Sequence, residues 1–191
     1  MPMYYEFEVS IRDISPRIWR RFLLHGKATF EDLHLAIQDA SVWQNYQAYL
    51  FRADVEGPVI ARKDDFAFDG WLEPLGKDVP LSSFFTINGG YPPVMVCVYE
   101  YSQDDAWVLD ISLRKRVQID ERFQRRLLSG ERAFPPEDIW GDVYWDCVRV
   151  VKKADESGDP DWEDEDGFLD WLKGWRPDAF DLIAIGERFN R

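Results

Sequence analysis

Two alternating runs at the start of the chain, parted by a short turn, set the first constraint on its fold. In residues 4–12, Tyr5, Phe7, Val9 and Ile11 fall on one side, and Tyr4, Glu6, Glu8, Ser10 and Arg12 on the other. A period of two marks a strand half buried in a sheet. Residues 17–25 alternate again, with Ile18, Arg20, Phe22 and Leu24 on one side and Trp19, Arg21, Leu23 and His25 on the other. Asp13 to Pro16 reads as the turn, so the runs pair as an antiparallel hairpin. This puts Arg20 among the apolar residues of the buried side. A buried guanidinium is costly without a partner, and its planar fork suits a carboxylate. Asp104, Asp105, Glu137 and Asp138 are the candidates. The expectation is that Arg20 or Arg21 ties the hairpin to the Asp104-Asp105 turn or to Pro135-Pro136-Glu137-Asp138.

A helix should follow. Thr29 can cap the amide of Asp32, Asp32 can reach back, and Phe30, Leu33, Ile37 and Ala40 recur at helical spacing as far as Val42 or Trp43. His34 borders that stripe, either as a packed, hydrogen-bonded residue or as a ligand. Residues 46–53 and 59–62 read as strands, 63–79 as a loop and 81–85 as one helical turn. Residues 94–101 are apolar on both faces, as in a central strand. Residues 107–117 alternate and complete a second hairpin through the turn that holds Asp104 and Asp105. Those acids serve the turn itself or, beside Trp107, grip a cation or a basic peptide. After residue 118 the pattern becomes helical: 120–128 ended by Ser129-Gly130, then 139–154, 162–173 and 177–188. The whole reads as one α+β domain, 1–191. It has a mixed, mostly antiparallel sheet over 1–118 with one packed helix, and a helical C-terminal part over 119–191.

Charge and chemistry narrow the function. A formal net charge of −13 repels nucleic acid and anionic membrane over the surface as a whole. No apolar run reaches the ~18 residues of a membrane span, and the first residues lack the basic-then-apolar order of a signal peptide. With only two cysteines besides, the cytoplasm is the expected compartment. Phosphate-binding glycine loops, a GxSxG elbow, and His-x-x-x-His or Cys-x-x-Cys pairs are all missing. His25 and His34 are the only histidines. The acidic run 162–166 reads as a solvated helix start rather than a metal site. Arg114-Lys115-Arg116, Arg122, Arg125-Arg126 and Arg132 make the middle of the chain basic against an acidic 155–181. The two regions dock on one another or keep the chain soluble; a nucleic-acid face is the other reading.

The pieces Ile18-Trp19-Arg20-Arg21, Leu33-His34, Trp43, Tyr99-Glu100-Tyr101 and Trp107 run in a fixed order. They are followed by Leu128 to Asp138, then Phe180-Asp181 and Arg188-Phe189-Asn190. Together they resemble the plasmid ORF-three-like family, named after a reading frame on a bacterial Ri plasmid. The resemblance implies an α+β fold and a link to mobile elements, and it assigns no activity. Where the family has histidines or cysteines, this chain has Gln47, Tyr49, Leu109, Phe134 and Ile139. If those positions bind metal or catalyse in relatives, the resemblance implies that this chain has lost that ability.

The reading that emerges is a non-enzymatic module binding a protein or peptide through aromatics and paired acids. Its candidate residues are Trp19, Arg20, Arg21, His34, Trp43, Asp104, Asp105, Trp107, Glu137 and Asp138, with a pocket near Trp19, His34 and Trp107. No cofactor or metal is expected, and the oligomeric state is open. A degenerate hydrolase-like or nucleic-acid-processing enzyme is the alternative.

Overall fold

A computed structural model describes residues 1–53, 57–63, 74–85, 95–100, 107–139, 141, 143–158, 167–172 and 174–191. The first hairpin is present as read. Strands β1 (Met3–Ile11) and β2 (Trp19–His25) pair antiparallel, with Phe7 opposite Phe22 and Val9 opposite Arg20. Helix α1 (Phe30–Ser41) starts in the expected capping box between Thr29 and Asp32 and ends at Val42, which adopts a left-handed conformation. Strands β3 (Ala48–Arg52) and β4 (Val59–Arg62) and the helical turn α2 (Leu81–Phe84) also fall where the sequence places them. So does the second hairpin, β5 (Met95–Glu100) and β6 (Trp107–Gln118).

These strands and β7 (Arg125–Glu131) form one seven-stranded sheet in the order β4-β3-β5-β6-β1-β2-β7. All pairings between these strands are antiparallel, and a lone parallel bridge joins Arg62 to Leu75. The architecture is α+β, as read. Tyr5, Phe7, Val9 and Ile11 line the inner face with Ile18, Phe22, Leu24, Leu109 and Ile111, and α1 lays Phe30, Leu33, Ile37 and Ala40 into the same core. Helices α3 (Tyr144–Ser157), α4 (Phe168–Leu172) and α5 (Leu182–Phe189) complete the described chain. The ring of Phe189 on α5 packs against Phe22 at 5.3 Å. Among the described residues, no helix is long and apolar enough to cross a membrane.

The C-terminal part differs from the reading in three places. Residues 120–128 are not helical: the chain enters β7 at Arg125 and pairs with β2, Phe22 opposite Leu127 and Arg20 opposite Gly130. Helix preferences of Arg and Leu amount to tenths of a kcal/mol per residue. They lose to the row of unpaired backbone groups that the edge of β2 would otherwise expose. Ser129-Gly130 is therefore not a helix stop. A Cβ at Gly130 would stand 2.8 Å from Arg20 Cδ, Phe180 Cε2 and the Trp19 carbonyl, so glycine answers a close approach inside the strand. The helix expected from Ile139 begins only at Tyr144; residues 133–139 form an irregular strap that ends in a turn closed by the Ile139 amide on the Pro136 carbonyl at 3.0 Å. In the 162–173 stretch the described helix is α4, Gly167 before it is not helical, and 162–166 and 173 lie outside the described residues. The last helix begins at Leu182, where the Asp181 carboxylate accepts from the amides of Ile183 and Ala184.

Candidate functional site

Arg20 points inward and is 2% exposed, as the alternation of β2 requires. Its partners are not the expected carboxylates. Nε donates to the Ala40 carbonyl at 3.0 Å, and one terminal nitrogen donates to the carbonyls of Trp19 (2.8 Å) and Glu131 (3.1 Å). The guanidinium lies between two rings, 4.9 Å from the centre of Phe134 and 4.6 Å from that of Phe180. Ala40 belongs to the last turn of α1, whose carbonyls have no partner within the helix and carry the negative end of its dipole. Carbonyl dipoles and ring faces thus do what a carboxylate would have done. Burial pulls the Arg20 pKa down to about 9, which still leaves it protonated at neutral pH.

Tryptophan indoles hold the strap 133–139 in place. Trp43 donates to the Pro135 carbonyl (2.7 Å), Trp107 to that of Ile139 (2.8 Å) and Trp175 to that of Phe134 (2.8 Å). A segment buried without a ladder must find such donors. Glu137 fastens the strap to the loop after α1: its carboxylate oxygens accept from the amides of Gln44 and Tyr46. Asp138 is exposed and makes no ion pair among the described residues. Asp104 and Asp105 lie outside the described residues. The proposed Arg20–carboxylate tie is therefore replaced by a tie of Arg20 to the ring of Phe134 in the same strap. Arg21 faces the other way and bonds Glu8 at 2.6 Å, within its own hairpin.

His34 is 1% exposed, stacked on Tyr49 with ring centres 3.6 Å apart, and its Nε2 lies 2.7 Å from Asn45 Oδ1. Burial, the largest cause, lowers its pKa to about 4, against the favourable bond to Asn45. The folded state then holds fewer protons than the unfolded state between about pH 4 and 6.5. Its stabilising effect is complete above pH 6.5 and is lost as pH falls towards 4. We expect roughly 3 kcal/mol to disappear over that window. Urea unfolding at closely spaced pH values, with His34→Gln as the flattened control, measures it; identical slopes for both proteins would contradict it.

The expected pocket of Trp19, His34 and Trp107 does not form. His34 and Trp107 belong to the inner side, whereas Trp19 lies on the outer face, bonded through its indole to Glu131 at 3.1 Å with Arg21 over its ring at 5.4 Å. On that face Glu8 accepts from Arg17 and Arg21, and Glu6 pairs with Lys115 at 3.2 Å. The two arginines hold the Glu8 pKa below its ordinary value against the effect of burial.

One junction was missed in the sequence. Asp39, on α1, pairs with Arg125 of β7 and with Arg188 of α5 at 2.8 Å. Arg125 is itself buried and donates to the Phe189 carbonyl at 2.8 Å. The available signal was an acid bordering the apolar stripe of α1, the criterion that singled out His34.

Tyr49, Leu109, Phe134 and Ile139 all lie in the hydrophobic core. Among the described residues, no group of three or more His, Cys, Asp or Glu is arranged to hold a metal. Zinc takes Cys sulfur or His nitrogen in a tetrahedral set, and these side chains offer neither. We expect the purified protein to contain no stoichiometric zinc; one zinc per chain by elemental analysis would refute this.

Comparison with known proteins bears on the family and the fold. A family model described as plasmid pRiA4b ORF-3-like protein matches residues 3–184. The crystal structure of a protein of unknown function from Methanosarcina mazei Go1 superposes with a TM-score of 0.75 at 26% identity, covering 96% of this chain and 98% of that one. No curated protein matches the sequence.

Proposed function

The chain belongs to the plasmid pRiA4b ORF-3-like family, and on that premise we propose a non-enzymatic module that binds a protein or peptide across the outer face of its sheet. The observation that carries the proposal is the division of the candidate residues between the two faces. Arg20, His34, Trp43 and Trp107 are taken up by internal contacts, and Glu137 by the loop it caps. Trp19 and Arg21 remain partly exposed beside Glu6, Glu8, Arg17 and Lys115, on strands fixed by pairing on both sides. Tryptophan and arginine are the residues most often dominant in protein interfaces. Alternating ion pairs around them give a partner's charges a defined register.

A turnover reading built on His34 would need a mobile base there, and His34 is stacked, bonded and neutral at physiological pH. The test is a photo-crosslinking amino acid at Ser112, which lies opposite Glu8 on the outer face. A discrete adduct formed in the host cell and lost in Trp19→Ala supports the proposal. No adduct, or one that survives Trp19→Ala, contradicts it. An adduct of twice the chain mass would identify the partner as a second copy.

A further inference from the structure

Where β2 ends and β7 begins, a cavity of about 680 Å3 gathers an imidazole and three cationic side chains, His25, Lys27, Arg122 and Arg191, together with Met1, Pro2, Phe123 and Gln124. Among the described residues that line it, none has an acidic side chain. Elsewhere the arginines and lysines of this acidic chain are widely paired: Arg12 with Asp110, Arg21 with Glu8, Lys115 with Glu6, Arg126 with Glu121, Arg132 with Asp178. Lys27 and Arg122 have no such partner among the described residues, and Arg191 has one, Asp39, at the long distance of 3.7 Å.

The wall that carries these groups is built firmly. The Tyr4 hydroxyl donates to the carbonyls of Glu121 and Phe123 and accepts from the Phe123 amide at 3.1 Å. The Phe123 ring stacks on Tyr4 at 4.2 Å. Opposite, the His25 amide donates to the Gln124 carbonyl (2.9 Å) and the Gly26 amide to that of Met3 (2.7 Å). A Cβ at Gly26 would come within 2.9 Å of that Met3 oxygen, so glycine lets the turn close this tightly. His25 Nδ1 accepts from the Lys27 amide at 3.2 Å, which leaves Nε2 as the ring's donor. The backbone that carries these groups, and the His25 ring, are therefore ordered before any ligand arrives, which cuts part of the ordering cost of binding.

From this we infer that the cavity is a binding site for a small phosphorylated molecule, its phosphate held by Lys27, Arg122 and Arg191 with His25 Nε2–H as a further donor. The volume falls within the range of small-molecule sites. A net charge of −13 works against a long polyanion and against an anionic membrane, whose charges would meet the rest of the surface. A small dianion is governed by the local cations, since fields from more than about 10 Å away are largely screened. The inference rests on different residues from those proposed to bind a protein or peptide, so either can fail without the other.

The test is a titration of the full chain, labelled with 15N, with inorganic phosphate, inorganic pyrophosphate and AMP in turn, ionic strength being held constant with sodium chloride. Saturable shifts are expected at the amides of residues 25–27 and 122–124, with affinity weakened by about tenfold or more in Lys27→Gln/Arg122→Gln. Both positions are exposed, so the rest of the spectrum should stay in place and show that the variant is folded. Shifts common to all three ligands assign the site to the phosphate alone; further shifts with AMP extend it to a nucleoside. Non-saturating shifts, or equal affinities in the variant and the parent, would overturn the inference.

Discussion

Replacing Arg20 by alanine is expected to remove about 3–5 kcal/mol of unfolding free energy, enough to leave many domains of this size partly unfolded. The side chain is among the largest that are fully buried, so its removal opens a cavity between Phe134 and Phe180. It also strands the carbonyls of Ala40 and Glu131, and an unsatisfied buried acceptor costs about 1–3 kcal/mol. Lysine should recover less than half of the loss. One ammonium group cannot serve carbonyls on β2, β7 and α1 together and has no flat face to lay on the rings. Equilibrium urea unfolding decides the matter, and a change below about 1 kcal/mol for Arg20→Ala would mean that these contacts are not the fold's.

The second large effect belongs to Asp39. Its carboxylate neutralises a buried Arg125 and holds Arg188, so Asp39→Ala should cost about 3 kcal/mol by leaving Arg125 charged and unpaired. Burial already pulls the Arg125 pKa down, and the charge of Asp39 opposes that pull. Because the junction joins α1 to β7 and α5, the loss should be local as well as global. Hydrogen exchange should quicken first at the amides of 125–127 and 183–190. The double variant Asp39→Ala/Arg125→Met should recover stability, since an apolar pair of suitable volume is often neutral where a lone charge is not. If the single variant melts with the parent, the junction is only a surface contact.

How far the sequence reaches is clear from these residues. The side of the sheet that Arg20 occupies followed from a period of two, and the start of α1 from Thr29 and Asp32, because both are local rules. What Arg20 touches did not follow, because a backbone carbonyl is carried by every residue and leaves no mark in the sequence. The same holds for the indole bonds of Trp43, Trp107 and Trp175: Trp43 and Trp107 read as binding aromatics, and these rings instead supply donors to the strap. Strand β7 was hidden because Arg125-Arg126-Leu127-Leu128 suits a helix, and only the edge of β2, remote in sequence, decides otherwise. Glu137 was picked out as a carboxylate partner for an arginine, and its partners are instead the amides of a loop.

The claim beneath all of this is that the conspicuous aromatic and charged residues on the inner side are joints of the fold and that recognition lies outside. Trp43→Phe tests it most directly, since it keeps an aromatic ring at the site and takes away the donor to the Pro135 carbonyl. Measured by urea unfolding, the variant should lose about 1–3 kcal/mol, the range for a buried acceptor left unpaired, while the Ser112 adduct of the folded protein persists. A variant as stable as the parent that no longer forms the adduct would place Trp43 in the binding site and contradict the account.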